Sequence, residues 1–331
     1  MKTSINLPCP GHWQLVAGMV FLGGLLVACR PGSAAVYQRQ TPEAALRVVA
    51  TTTILGDVVR KLGGDAMEVS VLVPPGSDPH SFQATASDIR EVVEADLVIT
   101  NGAGLDAFID RLLESAVQAD EQDKIISASD GIAFRQLPTG SQGENHAEEA
   151  SHSGEEDIDP HVWFDPQNVI LWTRNIERAL SQADPANASL YAANGEAYRA
   201  ELEELDTWIE DQIATIPMEN RKLVTDHQTL GYFADRFGFD LIGTVIPGSS
   251  AAAEPSAEDL ATLIDAIPAM GVKAIFAGST VSPILAKRVA ADTGVQVVPI
   301  YTDSLTPSGG EASSYIDLMR YDVRAIQEAL R

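Results

Sequence analysis

The sequence predicts an α/β protein with two lobes, each built on a mostly parallel sheet flanked by helices, and one long helix that joins them. Three observations lead to this fold class. Short apolar, β-branched runs alternate with helix-like segments early in the chain. A similar alternation returns in the last third, and a long helical pattern separates the two sets. Strands that alternate with helices form parallel sheets covered on both faces.

The first alternation starts at Leu46 and defines an N-terminal lobe at residues 46–183. Its predicted strands are Leu46–Thr53, Met67–Val73, Asp96–Thr100 and Lys124–Ser127. Its predicted helices include Ile54–Leu62, Thr85–Ala95 and Asp106–Gln118. Strand-length apolar runs bounded by helical patterns are typical of βα units.

One helix, Pro185–Ile216, is predicted to connect the lobes within residues 184–217. Large apolar residues recur at helical spacing: Leu190, Tyr191, Tyr198, Leu202, Leu205 and Ile209. Proline suits the first turn of a helix, and Pro217 ends the pattern. About thirty residues give a rod ~45 Å long. The alternative is a pair of helices broken near Asn194-Gly195.

The second alternation predicts a C-terminal lobe at residues 218–331. Its predicted strands are Arg221–Thr225, Asp240–Val245, Lys273–Ala277 and Val295–Ile300. Its predicted helices are Leu230–Phe237, Ser256–Met270, Pro283–Asp292 and a last one over Ser313–Leu330. Both halves of the chain therefore carry the same kind of strand and helix order.

Residues 1–28 are predicted to be a signal peptide. Lys2 is their only charged residue, and the apolar or glycine run Leu15–Ala28 is shorter than the ~20 residues that span a bilayer. The run ends in Leu26–Cys29, which resembles a bacterial lipobox, whose cysteine carries a lipid after cleavage. We therefore expect an extracytoplasmic protein, in the periplasm or at the cell surface, anchored through Cys29 with residues 29–45 as a tether. An ordinary signal peptide with an incidental cysteine is the alternative.

Cysteine usage and charge restrict the chemistry. The chain has two cysteines, and Cys9 lies in the leader while Cys29 lies at the predicted cleavage site. Thiolate metal sites and cysteine nucleophiles are therefore excluded from the mature chain, and any metal must be held by nitrogen and oxygen. The formal net charge of −25 disfavours binding to nucleic acid and to anionic lipid head groups.

Residues 140–160 fit neither lobe and are predicted to form a mobile, solvated loop. They contain seven acidic residues, the histidines His146 and His152, and no apolar residue larger than Ile158. Such a segment cannot bury enough apolar surface to fold by itself.

The other histidines of the mature chain share one structural setting. His80 and His227 each follow a predicted strand, and His161 lies between the acidic loop and a helix. Asp303 follows the last predicted strand. Ligands of open parallel sheets bind beyond the carboxyl ends of the strands, so these groups predict a metal site in a cleft between the lobes. A single histidine in a loop is more often an ordinary polar residue than a metal ligand. Three histidines in equivalent positions favour the metal site.

Six motifs resemble those of the cluster A-I substrate-binding proteins, which serve zinc and manganese ABC transporters. They are Pro74–Phe82 (PPGSDPHSF), Asp159–Pro166 (DPHVWFDP), His227–Phe233 (HQTLGYF), Ile54–Asp57 (ILGD), Asn101–Asp106 (NGAGLD) and Tyr301–Leu305 (YTDSL). The resemblance runs from Leu46 to the C-terminus and includes both lobes. It implies the single connecting helix, which in this family limits how far the lobes move.

The resemblance also implies a ligand set and a function. The metal ligands would be His80, His161, His227 and Asp303. The third ligand is histidine in zinc-type members and usually glutamate in manganese-type members, so His227 implies zinc, with manganese as the other cargo considered. The chain would be a monomeric binding protein that delivers Zn²⁺ to an ABC transporter permease, with a metal chaperone as a further candidate partner. Imidazole suits Zn²⁺, whereas Mn²⁺ prefers oxygen ligands.

Nearby carboxylates are candidates for a supporting role. Asp78, Asp159 and Asp165 lie close in sequence to the ligand histidines, and carboxylates commonly accept the second imidazole N–H of a metal-bound histidine. Capping of turns and helices is an equal alternative for all three. Glu254 could approach the cleft, but no spacing argument places it there.

Three other functions compete with zinc import. A manganese- or iron-binding component of the same transporter class is disfavoured by His227. A secreted zinc hydrolase would need an open coordination position and a general base, and the sequence has no His-Glu-Xaa-Xaa-His motif, so no enzymatic activity is expected. A metal-binding surface adhesin or storage protein would use the acidic loop as its functional part.

Overall fold

The computed structural model describes residues 45–109, 124–137, 158–248 and 254–331. The predicted signal peptide, the tether up to residue 44, and residues 140–157 of the acidic segment lie outside these ranges. So does most of the predicted helix Asp106–Gln118. Among the described helices, none is long and apolar enough to cross a membrane.

The first lobe is built on a parallel sheet with the strand order β2-β1-β3-β4. The strands are β1 (Leu46–Ala50), β2 (Met67–Val71), β3 (Leu97–Thr100) and β4 (Ile125–Ser127). The described helices of this lobe are α1 (Thr53–Gly63), α2 (Ala86–Glu94) and α3 (Pro166–Ala183). Chain order reverses between β1 and β3, so this sheet has a switch point at which ligands bind in open α/β folds.

The second lobe repeats the same topology with the strand order β6-β5-β7-β8, again parallel throughout. Its strands are β5 (Lys222–Thr225), β6 (Asp240–Thr244), β7 (Ala274–Gly278) and β8 (Gln296–Ile300). Its helices are α5 (Gly231–Phe237), α6 (Ala257–Met270), α7 (Ile284–Thr293) and α8 (Tyr315–Leu330). The predicted fold class is confirmed.

One continuous helix, α4 (Ala188–Ala214), lies between the lobes in the chain and runs for 27 residues. It packs against α1 and α3 of the first lobe and against α8 of the second. Gly195 lies within this helix and does not interrupt it, and the end of the Glu177 side chain of α3 lies close to its Cα. The alternative of two helices broken at this glycine is wrong.

Five of the six large apolar residues in the predicted pattern of α4 are buried. Tyr191, Tyr198, Leu202, Leu205 and Ile209 are buried as expected. Leu190 is 39% exposed, because it lies about 100° around the helix from Tyr191 and points away from α1 and α3.

The C-terminal helix α8 fastens the second lobe to the first. The backbone N–H of Tyr315 donates to Asp57 Oδ2 of α1 over 2.9 Å. The Tyr315 hydroxyl donates to the carbonyl of Trp163 over 2.7 Å. Buried side chains of both lobes and of α4 form one hydrophobic cluster that includes Leu55, Leu202 and Phe276. The loops at the carboxyl ends of the two sheets are therefore held on a shared core.

Candidate metal centre

His80 is placed by a short capped turn beyond β2. The single 3₁₀ turn Pro79–Ser81 starts after Asp78, whose Oδ1 accepts the backbone N–H of His80 over 2.9 Å. Proline at the first position of this turn lacks an N–H that would need a partner. Asp78 therefore acts as a cap, and this positions the half-buried His80 ring at the cleft.

His161 is held by its own loop. Asp159 Oδ1 accepts both the backbone N–H of His161, over 3.1 Å, and its ring nitrogen Nδ1, over 2.8 Å. The other oxygen, Asp159 Oδ2, lies 3.5 Å from Arg135 Nη1. With Nδ1–H donated to a carboxylate, the Nε2 lone pair of His161 is free to bind a metal ion.

His227 has the same arrangement beyond β5. Asp226 Oδ1 accepts the backbone N–H of His227 over 2.8 Å and its Nδ1 over 2.9 Å. Asp226 Oδ2 accepts the backbone N–H of Gly278 over 2.6 Å. His227 Nε2 is buried and has no hydrogen-bond partner among the described residues.

Asp303 approaches the histidines from the loop beyond β8. The Thr280 hydroxyl donates to Asp303 Oδ2 over 2.8 Å, and the Thr302 hydroxyl donates to the same oxygen over 2.5 Å. Asp303 Oδ1 is buried and has no hydrogen-bond partner in the described part of the chain.

The four predicted ligands come together. One donor atom from each of His80, His161, His227 and Asp303 lies within 4.8 Å of the other three. His80 Nε2 and His161 Nε2 are 3.1 Å apart, and His161 Nε2 is 3.5 Å from Asp303 Oδ1. His227 Nε2 is 3.7 Å from Asp303 Oδ2. Three nitrogens and one oxygen at such separations are the donor set of a closed tetrahedral site.

Charge is unevenly distributed over these four groups. Burial, together with the neighbouring His161, lowers the pKa of His80 to about 3. Burial also opposes a charge on His227, but the Asp303 and Asp226 carboxylates outweigh it and raise the pKa of His227 to about 10. Burial opposes a charge on His161 as well, but the neighbouring Asp159 and Asp303 carboxylates outweigh it and raise the pKa of His161. The cluster thus attracts positive charge, and a bound cation would replace protons on the imidazoles.

Contacts between the lobes surround the cluster. The Thr53 hydroxyl of the first lobe accepts the backbone N–H of Leu305 over 2.8 Å. Ser304 Oγ accepts the backbone N–H of Gly76 over 2.8 Å. The Trp163 indole donates to the carbonyl of Thr302 over 3.0 Å. These bonds hold the loops of His80, His161 and Asp303 against each other.

The supporting carboxylates differ from the predicted set. Asp159 contacts an imidazole, whereas Asp78 caps the turn of His80 and Asp165 caps α3 by accepting the N–H of Gln167. Asp226 was not among the predicted residues, although it directly precedes His227, and an aspartate beside a histidine after a strand is the signal that could have found it. Glu254 is exposed.

Comparisons with known proteins cover both lobes. The family model described as zinc-uptake complex component A, periplasmic (ZnuA), matches residues 48–329. The manganese-binding lipoprotein MntA of Halalkalibacterium halodurans is 32% identical over 279 residues, which are 84% of this chain and 86% of MntA. The manganese ABC transporter substrate-binding lipoprotein PsaA of Streptococcus pneumoniae is 31% identical over 318 residues, 94% of this chain and 97% of PsaA.

A solved structure supports the same relationship. The periplasmic zinc-binding protein TroA of Treponema pallidum matches with a TM-score of 0.74 and 25% identity, over 86% of this chain and 99% of TroA. Residues 48–329, which the family model matches, include the connecting helix and the four converging side chains. This chain therefore belongs to the ZnuA family (cluster A-I), the metal-binding periplasmic or lipoprotein components of manganese and zinc ABC transporters.

Proposed function

We propose that this protein binds Zn²⁺ outside the cytoplasm with His80, His161, His227 and Asp303 and delivers it to the permease of an ABC importer. The observation that carries the proposal is the convergence of three imidazoles and one carboxylate within 4.8 Å. Zn²⁺ is bound in closed sites by four nitrogen, sulfur or oxygen donors in a tetrahedron. Mn²⁺ prefers carboxylate and water oxygens and a higher coordination number.

Manganese is the competing cargo. MntA and PsaA are named for manganese, whereas TroA is named as a zinc-binding protein. What supports zinc in this chain is the donor set itself, because only one of the four groups offers oxygen. Two of the three imidazoles also have Nδ1 bonded to a carboxylate, which increases the basicity of the ring as a nitrogen ligand.

The direct test is metal analysis of the protein purified without added metal, followed by competition titrations with Zn²⁺ and Mn²⁺. We expect one equivalent of zinc and a dissociation constant for Zn²⁺ at least about a hundredfold below that for Mn²⁺, the order that divalent-metal affinities generally follow. A protein purified with manganese, or one with a lower dissociation constant for Mn²⁺, would contradict the zinc assignment.

The anchor is a separate part of the proposal. The names of MntA and PsaA describe lipoproteins, and Leu26–Cys29 resembles the cleavage motif of that class. We expect Cys29→Ser to move the protein from the membrane fraction to the soluble fraction without changing the dissociation constant for Zn²⁺. Unchanged membrane association of this variant would show that Cys29 does not carry the anchor.

A further inference from the structure

The two oxygens of Asp303 are in different surroundings. Oδ2 accepts hydrogen bonds from the hydroxyls of Thr280 and Thr302. Oδ1 has no hydrogen-bond partner among the described residues and lies 3.5 Å from His161 Nε2. The carboxylate is therefore presented to the cluster with one oxygen held by the protein and the other free.

This asymmetry limits how the carboxylate can bind a metal ion. A carboxylate offers about four lone-pair sites over its two oxygens, and the two hydroxyl donors use those of Oδ2. Binding an ion through both oxygens would require breaking at least one of these hydrogen bonds inside a buried cleft. A hydroxyl left there without its partner is unfavourable, because a buried donor loses its hydrogen bond.

The two threonines are attached differently. Thr302 is fully buried beside Asp303, and its carbonyl accepts the Trp163 indole N–H. Thr280 is half-buried in the loop beyond β7, the strand paired with β8, so its hydroxyl reaches Asp303 from the neighbouring strand. Thr280 is thus the donor whose hydroxyl can be removed without opening the core.

We propose that Thr280 is a positioning residue that sets metal selectivity by holding Asp303 as a one-oxygen ligand. This inference rests on the proposed metal site and adds a cause for its preference. With Oδ2 bonded to two hydroxyls, the site offers three nitrogens and one oxygen, which completes a tetrahedron for Zn²⁺. The second carboxylate oxygen, which would raise the coordination number of Mn²⁺, is then not available to the ion.

Thr280→Val tests this proposal, because valine has nearly the same shape and lacks the hydroxyl. Oδ2, which lies 3.7 Å from His227 Nε2, then keeps one donor and gains a free lone pair. Thr280→Ser restores the donor. Thr293→Val is the matched control, since the Thr293 hydroxyl donates to backbone carbonyls within α7 and not to any of the four ligands.

Two measurements are made on each variant. X-ray absorption of the Zn²⁺ form and the visible spectrum of the Co²⁺ form report coordination number, and competition titrations give the ratio of the Mn²⁺ and Zn²⁺ dissociation constants. We expect four-coordinate spectra for the wild type, Thr280→Ser and Thr293→Val. Thr280→Val should become five-coordinate, with weaker Co²⁺ absorption, and its ratio should move toward manganese by at least about fivefold.

The outcomes separate this inference from the proposed function. The role of Thr280 would be overturned if Asp303 of the wild type already bound the metal ion through both oxygens. It would also be overturned if Thr280→Val matched Thr293→Val in both the spectrum and the ratio of dissociation constants. A wild type that prefers Mn²⁺ would overturn the zinc assignment alone. In that case a change of coordination in Thr280→Val, absent in Thr280→Ser, would still support the role of Thr280.

Discussion

The two lobes each supply a histidine paired with an aspartate, but they hold the aspartate in different ways. In the second lobe, the outer oxygen of Asp226 accepts a backbone N–H from Gly278 over 2.6 Å. In the first lobe, the outer oxygen of Asp159 lies 3.5 Å from the Arg135 side chain. Arg135 also donates to Asp235 of the second lobe over 3.0 Å. The second-lobe pair is fixed by its own sheet, whereas the first-lobe pair depends on a charged side chain that bridges the lobes.

This difference indicates that the second lobe holds the more rigid half of the site. The Gly278 N–H belongs to the backbone of a strand in the sheet, so its position does not depend on a side-chain conformation. The Arg135 side chain is long and 20% exposed, so it can shift relative to Asp159. Substitutions in the Asp226–His227 pair should therefore cost more metal affinity than matched substitutions in the Asp159–His161 pair.

The largest effect is expected at His227. His227→Glu replaces a nitrogen ligand with oxygen, so the Zn²⁺ dissociation constant should rise by more than about a hundredfold. This exceeds the usual loss of affinity when a residue that hydrogen-bonds a ligand is removed. The ratio of the two dissociation constants should move toward Mn²⁺ by at least about tenfold, or about 1.4 kcal/mol. Competition titrations measure both, with His146→Ala as a control. If the two variants behave alike, His227 is not a ligand.

The comparison is tested directly by two matched amide substitutions. In Asp226→Asn, the amide can accept from either His227 Nδ1 or Gly278 N, but its NH₂ group then faces the other donor. The Zn²⁺ affinity should fall by about 10- to 100-fold. In Asp159→Asn, the NH₂ group faces Arg135, which can move away, so the loss should stay below about tenfold. An equal or larger loss for Asp159→Asn would reverse the assignment of the rigid half.

A smaller effect is expected at the bridge between the lobes. Arg135→Gln removes the ion pairs to Asp159 and Asp235. The Zn²⁺ affinity should fall by about two- to fivefold at low salt, and the loss should be smaller at high salt because salt screens ion pairs. Arg288→Gln is the control, because Arg288 pairs with Asp292 on an exposed helix surface with 76% of its side chain accessible. Titrations at low and high salt give the measurement. A loss in Arg135→Gln that does not respond to salt would argue against an ionic bridge.

The smallest effect on metal binding is expected from Asp322, a buried acid that is not hydrogen-bonded to any of the four ligands. Burial raises the pKa of Asp322 well above its ordinary value, although its Oδ1 accepts the Tyr301 N–H. The folded protein then keeps a proton that the unfolded chain releases above about pH 4, so its stability falls as pH rises, by up to about 1.4 kcal/mol per pH unit.

Asp322→Asn should remove this slope and leave the Zn²⁺ affinity unchanged. Denaturant unfolding of the metal-free protein at several pH values between 5 and 8 measures it, with the exposed Asp240→Asn as the control. Parallel pH profiles for wild type and Asp322→Asn would show that Asp322 is ionised in the folded protein.

Most of the fold and the four converging groups were predictable from local patterns. Apolar runs and helical spacing identify strands and helices, and their alternation implies parallel sheets. The boundaries were less accurate. The first strand ends at Ala50, whereas the pattern extended to Thr53, because Thr52 caps α1 by accepting the Leu55 N–H over 3.2 Å. Apolar character alone does not show where a residue stops pairing with the neighbouring strand and instead caps the next helix.

The sequence by itself determined the order of strands and helices, the long connecting helix, and the position of His80, His161, His227 and Asp303 beyond strands or loops that meet at one edge. The strands and helices follow from short-range periodicity. The placement of the four groups follows from the right-handed connections of parallel strands, whose carboxyl ends meet at one edge of the sheet. Only the tertiary structure decided which aspartates support the imidazoles, which oxygen of Asp303 is free, and how Arg135 bridges the lobes. Arg135 and Asp235 are 100 residues apart, and Tyr315 and Asp57 are 258 apart. Contacts of that separation depend on how the lobes pack on the shared core, which no local pattern encodes.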